Sequence, residues 1–398
     1  MRVRDIAPVL DRMPLPKTYF RNGQAHYLDP IRERLITVTP EESVRQQVIQ
    51  FLLRDRNIPA HSICVEKPLS EYGLKSRLRA DITIECYNES DTLAVLCIIE
   101  CKAPHIPIDD RAYEQATHYA DLLDARYVMI TNGIACESYC WDEEKERYQE
   151  LSRLPTYRGM LSAHDQKIPP PPPWKRPSWK RPGNFIEECI EDGTFAEGTD
   201  RSKLIPLANL YSALMDDSHS LRPRKYGLFT LLEDYGCRYL RYGNASGRGY
   251  CNLYRSFLIE TDGGTEFASI GINAYGDNRT ILCIAIDGEN SIHHALQLAA
   301  DTYMDRDGTT CTFTHNGSIT VGQLGARKRS ELRPYVQGLY PRIVRKDDYL
   351  LGILHHDRPW YIDDPEIKTF LMNLISYALI RDRFRADVQA QDTYLRKK

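Results

Sequence analysis

The chain has 398 residues, enough for two domains and too many for one small module. With 42% hydrophobic, 27% charged and 10% aromatic residues it can bury an ordinary core, so composition excludes an intrinsically disordered chain. The balance of 52 Lys+Arg against 55 Asp+Glu, a formal charge of -3, excludes nucleic-acid binding by bulk positive charge and leaves a local basic groove open.

The 11 cysteines form no Cys-x-x-Cys pair and no Cys/His quartet at zinc-finger spacing, which predicts reduced thiols, no disulfide and no structural zinc. The opening segment MRVRDIAPVLDRMPLP is too charged and proline-broken for a signal peptide, and no run reaches the ~18–20 apolar residues of a membrane span. A cytoplasmic protein without a membrane partner is the expectation.

In chain order, residues 1–38 hold a Pro/Arg-rich lead-in and a YF…HYLD stretch that suggests a short hairpin. Thr39-Pro40-Glu41-Glu42 then reads as a helix start, with Thr39 as N-cap, Pro40 in the first turn and Glu42 closing a capping box. Val44, Val48, Phe51 and Leu52 supply its apolar stripe, and the helix should end before Asn57-Ile58-Pro59. Ile63–Val65, Ala80–Ile84 and Leu93–Ile99 read as strands, the last apolar enough for a central position. A helix follows over 111–124, with Ala112, Ala116, Tyr119, Ala120 and Leu123 at near-helical spacing, and Tyr127–Ile130 returns to the sheet before Asn132-Gly133. This order predicts an α/β unit with a mixed sheet flanked by helices.

At Pro169–Pro173 the composition shifts to a polyproline spacer, followed by the duplicated units Trp174-Lys-Arg-Pro177 and Trp179-Lys-Arg-Pro182. Such units can meet phosphates and bases, but a linker lying on a domain surface is the plainer reading. The expected organisation is an N-terminal domain over 1–160, a linker over 161–183 and a C-terminal α+β domain of unassigned fold over 184–398. In that second half, helices are expected near 184–192, 203–216, 291–304 and 328–338, with a terminal helix over 365–387. Strands are expected around 237–242, 256–260, 267–273, 281–286 and 349–354, with a hairpin at Asn316-Gly317. Gly243–Gly249 and Gly322–Gly325 match no nucleotide-binding pattern and read as turns. His293-His294 and His355-His356-Asp357 are adjacent pairs, a spacing that rarely ligates one metal. Arg327-Lys328-Arg329 fits a phosphate contact or a solvated helix start, and His118 reads as structural.

The chemistry concentrates in Arg79-Ala80-Asp81 and Glu100-Cys101-Lys102-Ala103-Pro104. One acid begins a strand, and an acid-x-lysine ends the next. Alternation along a strand puts Glu100 and Lys102 on one side and Cys101 on the other, so two strands can bring two carboxylates and an ammonium to one point. Paired carboxylates suit a hard cation such as Mg²⁺, which supports phosphodiester hydrolysis by activating water and neutralising charge. The plainer alternative is two acids flanking a buried strand, with Lys102 paired to one of them at the surface.

These segments resemble the PD-(D/E)XK nuclease superfamily, and more narrowly the N-terminal nuclease domain of type I restriction enzyme R subunits. The resemblance is carried by Pro40-Glu-Glu-Ser-Val-Arg-Gln46, Arg79-Ala-Asp81, Glu100-Cys-Lys-Ala-Pro104, Gln115-Ala-Thr-His-Tyr119 and Ile130-Thr-Asn-Gly133, in that order over roughly 39–150. It implies a restriction-endonuclease-like fold with Asp81 and Glu100 as ligands of Mg²⁺, Mn²⁺ being able to substitute. The Cys101 carbonyl would be a third ligand and Lys102 the catalytic lysine. It also implies Gln115 and Tyr119 lining the site and helping to hold DNA, Glu42 or else Glu41 as an additional acid, and Arg79 and Arg45 as contacts to nucleic acid. A helicase motor would need a GxxxxGK[ST] loop, which is lacking, so the resemblance stops at the nuclease domain. The expectation is a stand-alone DNA nuclease of a phage-defence or restriction-like system, self-associating, and governed by its C-terminal domain or by a partner or activator protein. The alternatives are a non-cleaving nucleic-acid-binding or scaffold subunit, and an activity lodged in the second domain.

Overall fold

The computed structural model describes residues 10, 12–76, 78–87, 92–162, 174–243, 249–276, 278–287, 292–319 and 328–396. The chain divides into two compact units, Met1–Pro173 and Trp174–Lys398. The prolines Pro169–Pro173 and the glycine-rich stretches at 244–248 and 322–325 lie outside the described residues, as does Arg327.

Unit 1 opens with an antiparallel meander, β1 (Thr18–Arg21), β2 (Gln24–Asp29) and β3 (Arg34–Thr37), one strand more than the expected hairpin. Helix α1 (Pro40–Arg54) starts as its residues dictate: the Thr39 hydroxyl accepts the Glu42 amide at 3.0 Å, and Pro40 stands where no amide is needed. The Glu42 carboxylate, expected to close a capping box, goes instead to Arg32, Arg45 and Gln46.

A mixed sheet follows in the order β4 (Ile63–Val65), β5 (Ile82–Tyr87), β6 (Leu93–Cys101), β7 (Tyr127–Thr131), β8 (Cys136–Asp142) and β9 (Arg147–Leu151). The β6–β7 pair is parallel and the other neighbours are antiparallel. A parallel pair needs a crossover, and α2 (Asp110–Leu122), capped by Asp109, provides it. Helices line both faces. Val44, Val48, Phe51 and Leu52 of α1 pack on the face that carries Ile82, Ile84, Cys97, Ile99 and Met129. Ala112, Ala116 and Ala120 of α2, four residues apart, let that helix sit close against Ile98, Val128 and Ile130. The β8–β9 hairpin went unforeseen, although Cys136, Ser138 and Cys140 mark alternate positions of its first strand. A short helix α3 (Tyr157–Ser162) follows it.

In unit 2, the segment after Trp174 is tied to its own unit. The Arg176 guanidinium binds Asp216 at 2.7 Å and the Trp360 carbonyl, and the Trp179 ring meets His356 edge-on at 5.4 Å. Helices α4 (Gly183–Glu191) and α5 (Arg201–Met215) precede an antiparallel sheet ordered β10 (Arg224–Tyr226), β11 (Phe229–Gly243), β12 (Gly249–Thr261), β13 (Gly264–Tyr275), β14 (Arg279–Asp287) and β15 (Ile292–Ala299). Where the sequence suggested a helix over 291–304, the chain forms β15 and only one helical turn, α6 (Ala300–Tyr303). Ala295, Leu296 and Leu298 are needed in the core beside β14, and pairing overrides local preference. A second sheet of β16 (Met304–Asp307), β17 (Thr310–His315) and β18 (Tyr349–His355) turns at Gly308, which takes a φ of 57°, and not at Asn316-Gly317. Helix α7 (Arg329–Leu339) lies between β17 and β18 in the chain, and α8 (Pro365–Arg396) closes it. No described helix is long and apolar enough to cross a membrane.

Candidate functional site

The site lies where β5 begins and β6 ends in unit 1. Ile82 pairs with Ile99, so Asp81, one residue before β5, falls beside Glu100, and the Cys101 amide donates to Asp81 Oδ2 at 2.8 Å. Alternation puts Glu100 and Lys102 on the α2 side, while Cys101 packs among the α1-side residues. Lys102 is held through its backbone as well, its amide donating to the Thr131 carbonyl at 2.8 Å. Beyond Thr131, Asn132 accepts the amides of Ile134 and Ala135 and donates to the Ile106 carbonyl, while Gly133 takes a φ of 83° with Val44 directly beneath it. The Ile130–Gly133 motif is therefore the end of β7 and the start of a turn whose Asn132 ties down the loop after Lys102.

Two side chains converge on one oxygen of Glu100. Lys102 Nζ lies 2.7 Å from Glu100 Oε1, and Gln115 Nε2 donates to the same atom at 2.7 Å. Gln115 Oε1 accepts from Lys102 Nζ at 3.1 Å, and Tyr119 OH stands 3.5 Å from Gln115 Nε2, one turn along α2. The other Glu100 oxygen, Oε2, is buried and meets no hydrogen-bond donor among the described residues. Burial, reinforced by the nearby Asp81 charge, outweighs Lys102 and pushes the Glu100 carboxyl up to about 7. For Lys102, burial works against the charge, but the bond to Glu100 and the Asp81 and Glu41 charges prevail and raise its pKa.

On the α1 side, Arg45 Nη2 contacts Asp81 Oδ1 at 2.8 Å and Glu41 Oε1 at 3.0 Å, while Nη1 contacts Glu42 Oε2 at 2.5 Å. Glu42 Oε1 is held by Arg32 and Gln46, and Arg32 continues to Asp29 at 2.7 Å and Glu66 at 2.8 Å. Buried charges of both signs thus alternate from the meander to Asp81.

Asp81, Glu100, Lys102, Gln115 and Tyr119 come together as the sequence expected. Two other expected site residues, Glu42 and Arg45, are engaged with each other in this structure. Glu42 is buried with both oxygens engaged by cationic and amide donors, while the charge of the half-exposed Glu41 acts on Glu100 and Lys102. Arg45 is buried beneath three carboxylates and is not presented to a ligand. Arg79 is exposed, 3.5 Å from Glu66, and His118 is exposed on α2. Sequence reasoning missed Asp29, Arg32, Gln46 and Glu66. The spacing of Asp29 to Arg32 is a local hint, but the link to α1 is long-range. Among the described residues no group of three or more His, Cys, Asp or Glu side chains could hold a metal ion. Two carboxylates still fit a hard cation whose remaining ligands are water and phosphate, and the orphaned, buried Glu100 Oε2 is an acceptor left open for one.

Residues 40–155 match the family described as Type I restriction enzyme R protein N terminus. No curated protein matches the chain. Among solved structures, the chain is similar to a fragment described as that of an HsdR subunit of a type I restriction enzyme from Vibrio vulnificus YJ016. The identity is 18%, the TM-score 0.18, and the match covers 37% of this chain and 32% of that one. The chain thus spans about a third of that structure's length.

Proposed function

We propose that unit 1 is a PD-(D/E)XK nuclease domain with a restriction-endonuclease-like fold that hydrolyses phosphodiester bonds of DNA with Mg²⁺ or Mn²⁺. The observation that carries this reading is the convergence of Lys102, Gln115 and Glu100 beside Asp81, with one Glu100 oxygen buried and without a hydrogen-bond partner among the described residues. The match over residues 40–155 supports it. Asp81 and Glu100 would hold the cation, with the Cys101 carbonyl as a third ligand. A divalent cation there supplies an acidified water and charge neutralisation at the scissile phosphate.

The chain's own residues do the rest. Lys102 presents a fixed ammonium, anchored by its amide, towards the charge that develops on the phosphate oxygens. Gln115 holds Lys102 and Glu100 in register from a rigid helix, and Tyr119 lines the site behind it. Arg79, with an exposed side chain, is suited to a backbone phosphate. Unit 2 is proposed to govern when cutting occurs, in a self-associating protein of a cytoplasmic phage-defence or restriction-like system that answers to a partner or activator.

A non-cleaving DNA-binding or scaffold subunit is the second reading, favoured by the Arg45–Asp81 ion pair and by the small number of carboxylates. Supercoiled plasmid incubated with the purified protein and Mg²⁺, Mn²⁺ or EDTA separates the two. Metal-dependent nicking that is lost in Asp81→Ala is expected. DNA binding without any cutting, in the presence of infected-cell extract to provide an activator, refutes the nuclease.

A further inference from the structure

The guanidinium of Arg45 occupies one oxygen of Asp81, a carboxylate proposed above to hold the metal. It shares Nη2 between Asp81 and Glu41, gives Nη1 to Glu42, and its Nε is buried without a hydrogen-bond partner among the described residues. Its side chain is 6% exposed, so water does little to balance the acids around it. The fork is held almost wholly by carboxylates. Asp81 is the most solvent-accessible of these partners apart from Glu41, and its other oxygen is already fixed by the Cys101 amide.

From this geometry we infer that Arg45 is the resident counter-cation of the metal-free site and competes with the divalent cation for Asp81. The inference rests on the nuclease reading above and deepens it. Three buried or half-buried acids crowded at one point repel one another, and a charge of the opposite sign is needed whenever no metal is bound. When a divalent cation takes Asp81, Arg45 is not stranded, because Glu42 and Glu41 keep two of its contacts. Glu42 in turn is shared with Arg32, which Asp29 and Glu66 hold from the far side. Asp81 thus passes from a protein cation to a bound one while the rest of the network stays paired. Two cations on one carboxylate oppose each other, so Arg45 weakens the site for metal. It is a positioning residue that sets metal affinity and does not itself touch the reacting phosphate.

The test is Mn²⁺ binding to the full chain by calorimetry, together with thermal melts with and without Mn²⁺. The proteins are wild type, Arg45→Met, the charge-compensated Arg45→Met/Glu42→Gln double variant, and Asp81→Asn. Both Arg45 variants are expected to bind Mn²⁺ roughly tenfold or more tightly than wild type. Their melting should be lower without metal and should rise further on adding Mn²⁺. The double variant keeps the net charge and answers the question if the single variant fails to fold. Affinity in the Arg45 variants equal to or weaker than that of a Mn²⁺-binding wild type overturns this inference and leaves the nuclease reading standing. Absence of Mn²⁺ binding in wild type and variants alike removes the metal site, and the inference falls with it.

Discussion

Replacing Lys102 by alanine asks whether the ammonium works on substrate or merely pairs with Glu100. In the folded chain Lys102 makes contacts of 2.7 Å to Glu100 and 3.1 Å to Gln115, and its side chain is 22% exposed. Its loss does not strand the carboxylate, because Gln115 Nε2 stays on the same oxygen at 2.7 Å. The stability cost should therefore be that of two charge-assisted hydrogen bonds partly open to water, about 1–3 kcal/mol, at or below the low end of the ~3–5 kcal/mol for breaking a buried ion pair. Catalysis should suffer more. Removing a fixed donor aimed at developing charge typically costs ~10²–10³ in rate. Single-turnover cleavage of end-labelled duplex DNA with Mg²⁺, paired with urea melts, measures both. A cutting rate close to wild type in a folded Lys102→Ala protein refutes the assignment. So does a loss of cutting that merely follows loss of the fold.

Other expectations follow from the same geometry. Arg32→Ala strips a guanidinium from Asp29 and Glu42, whose side chains are 0% and 4% exposed, and should lower unit 1 stability by ~3–5 kcal/mol in urea unfolding. A loss below about 1 kcal/mol would mean the network is not needed for folding. Gly352→Ala places a Cβ 2.6 Å from the buried Phe370 ring, so it should cost ~1–3 kcal/mol and lower the melting temperature of unit 2; an unchanged melt refutes the tight contact. In unit 2, burial, with Arg381 and Arg329, holds the His315 imidazole well below its ordinary value of 6.5. The folded state then carries fewer protons than the unfolded state at acid pH, so stability is full above about 6.5 and falls as pH drops below it. Melts at neutral and acid pH should show this loss, and His315→Gln should reduce it; an equal acid sensitivity in the variant would place the effect elsewhere.

Unit 1 was largely legible because its signals are local. Thr39-Pro40 caps a helix, Leu93–Ile99 is apolar throughout, and Ala112, Ala116 and Ala120 mark the face of α2 that meets the sheet. The Glu100–Lys102 side of the strand follows from alternation alone. The ion network was not legible, because Arg32 and Arg45 are drawn to acids up to 36 residues away, and partners at that separation are set by the fold. The same physics explains β15. Ile292–Ala299 has residues that suit a helix, but the β14 edge and the core of unit 2 claim them. The partners of the Glu42 carboxylate were not legible for a related reason: a capping position fixes where the backbone goes and leaves the carboxylate free to find a charge.

Cleavage of supercoiled plasmid with Mg²⁺ by wild type and by Glu100→Gln, each repeated in EDTA, tests the central claim most directly. Glutamine keeps the size of the side chain and removes the charge that the Glu100 Oε2 acceptor would bring to a cation. The account predicts nicked and linear products from wild type with Mg²⁺, none in EDTA, and none from Glu100→Gln. Equal cutting by Glu100→Gln, or wild-type cutting undiminished by EDTA, would contradict it.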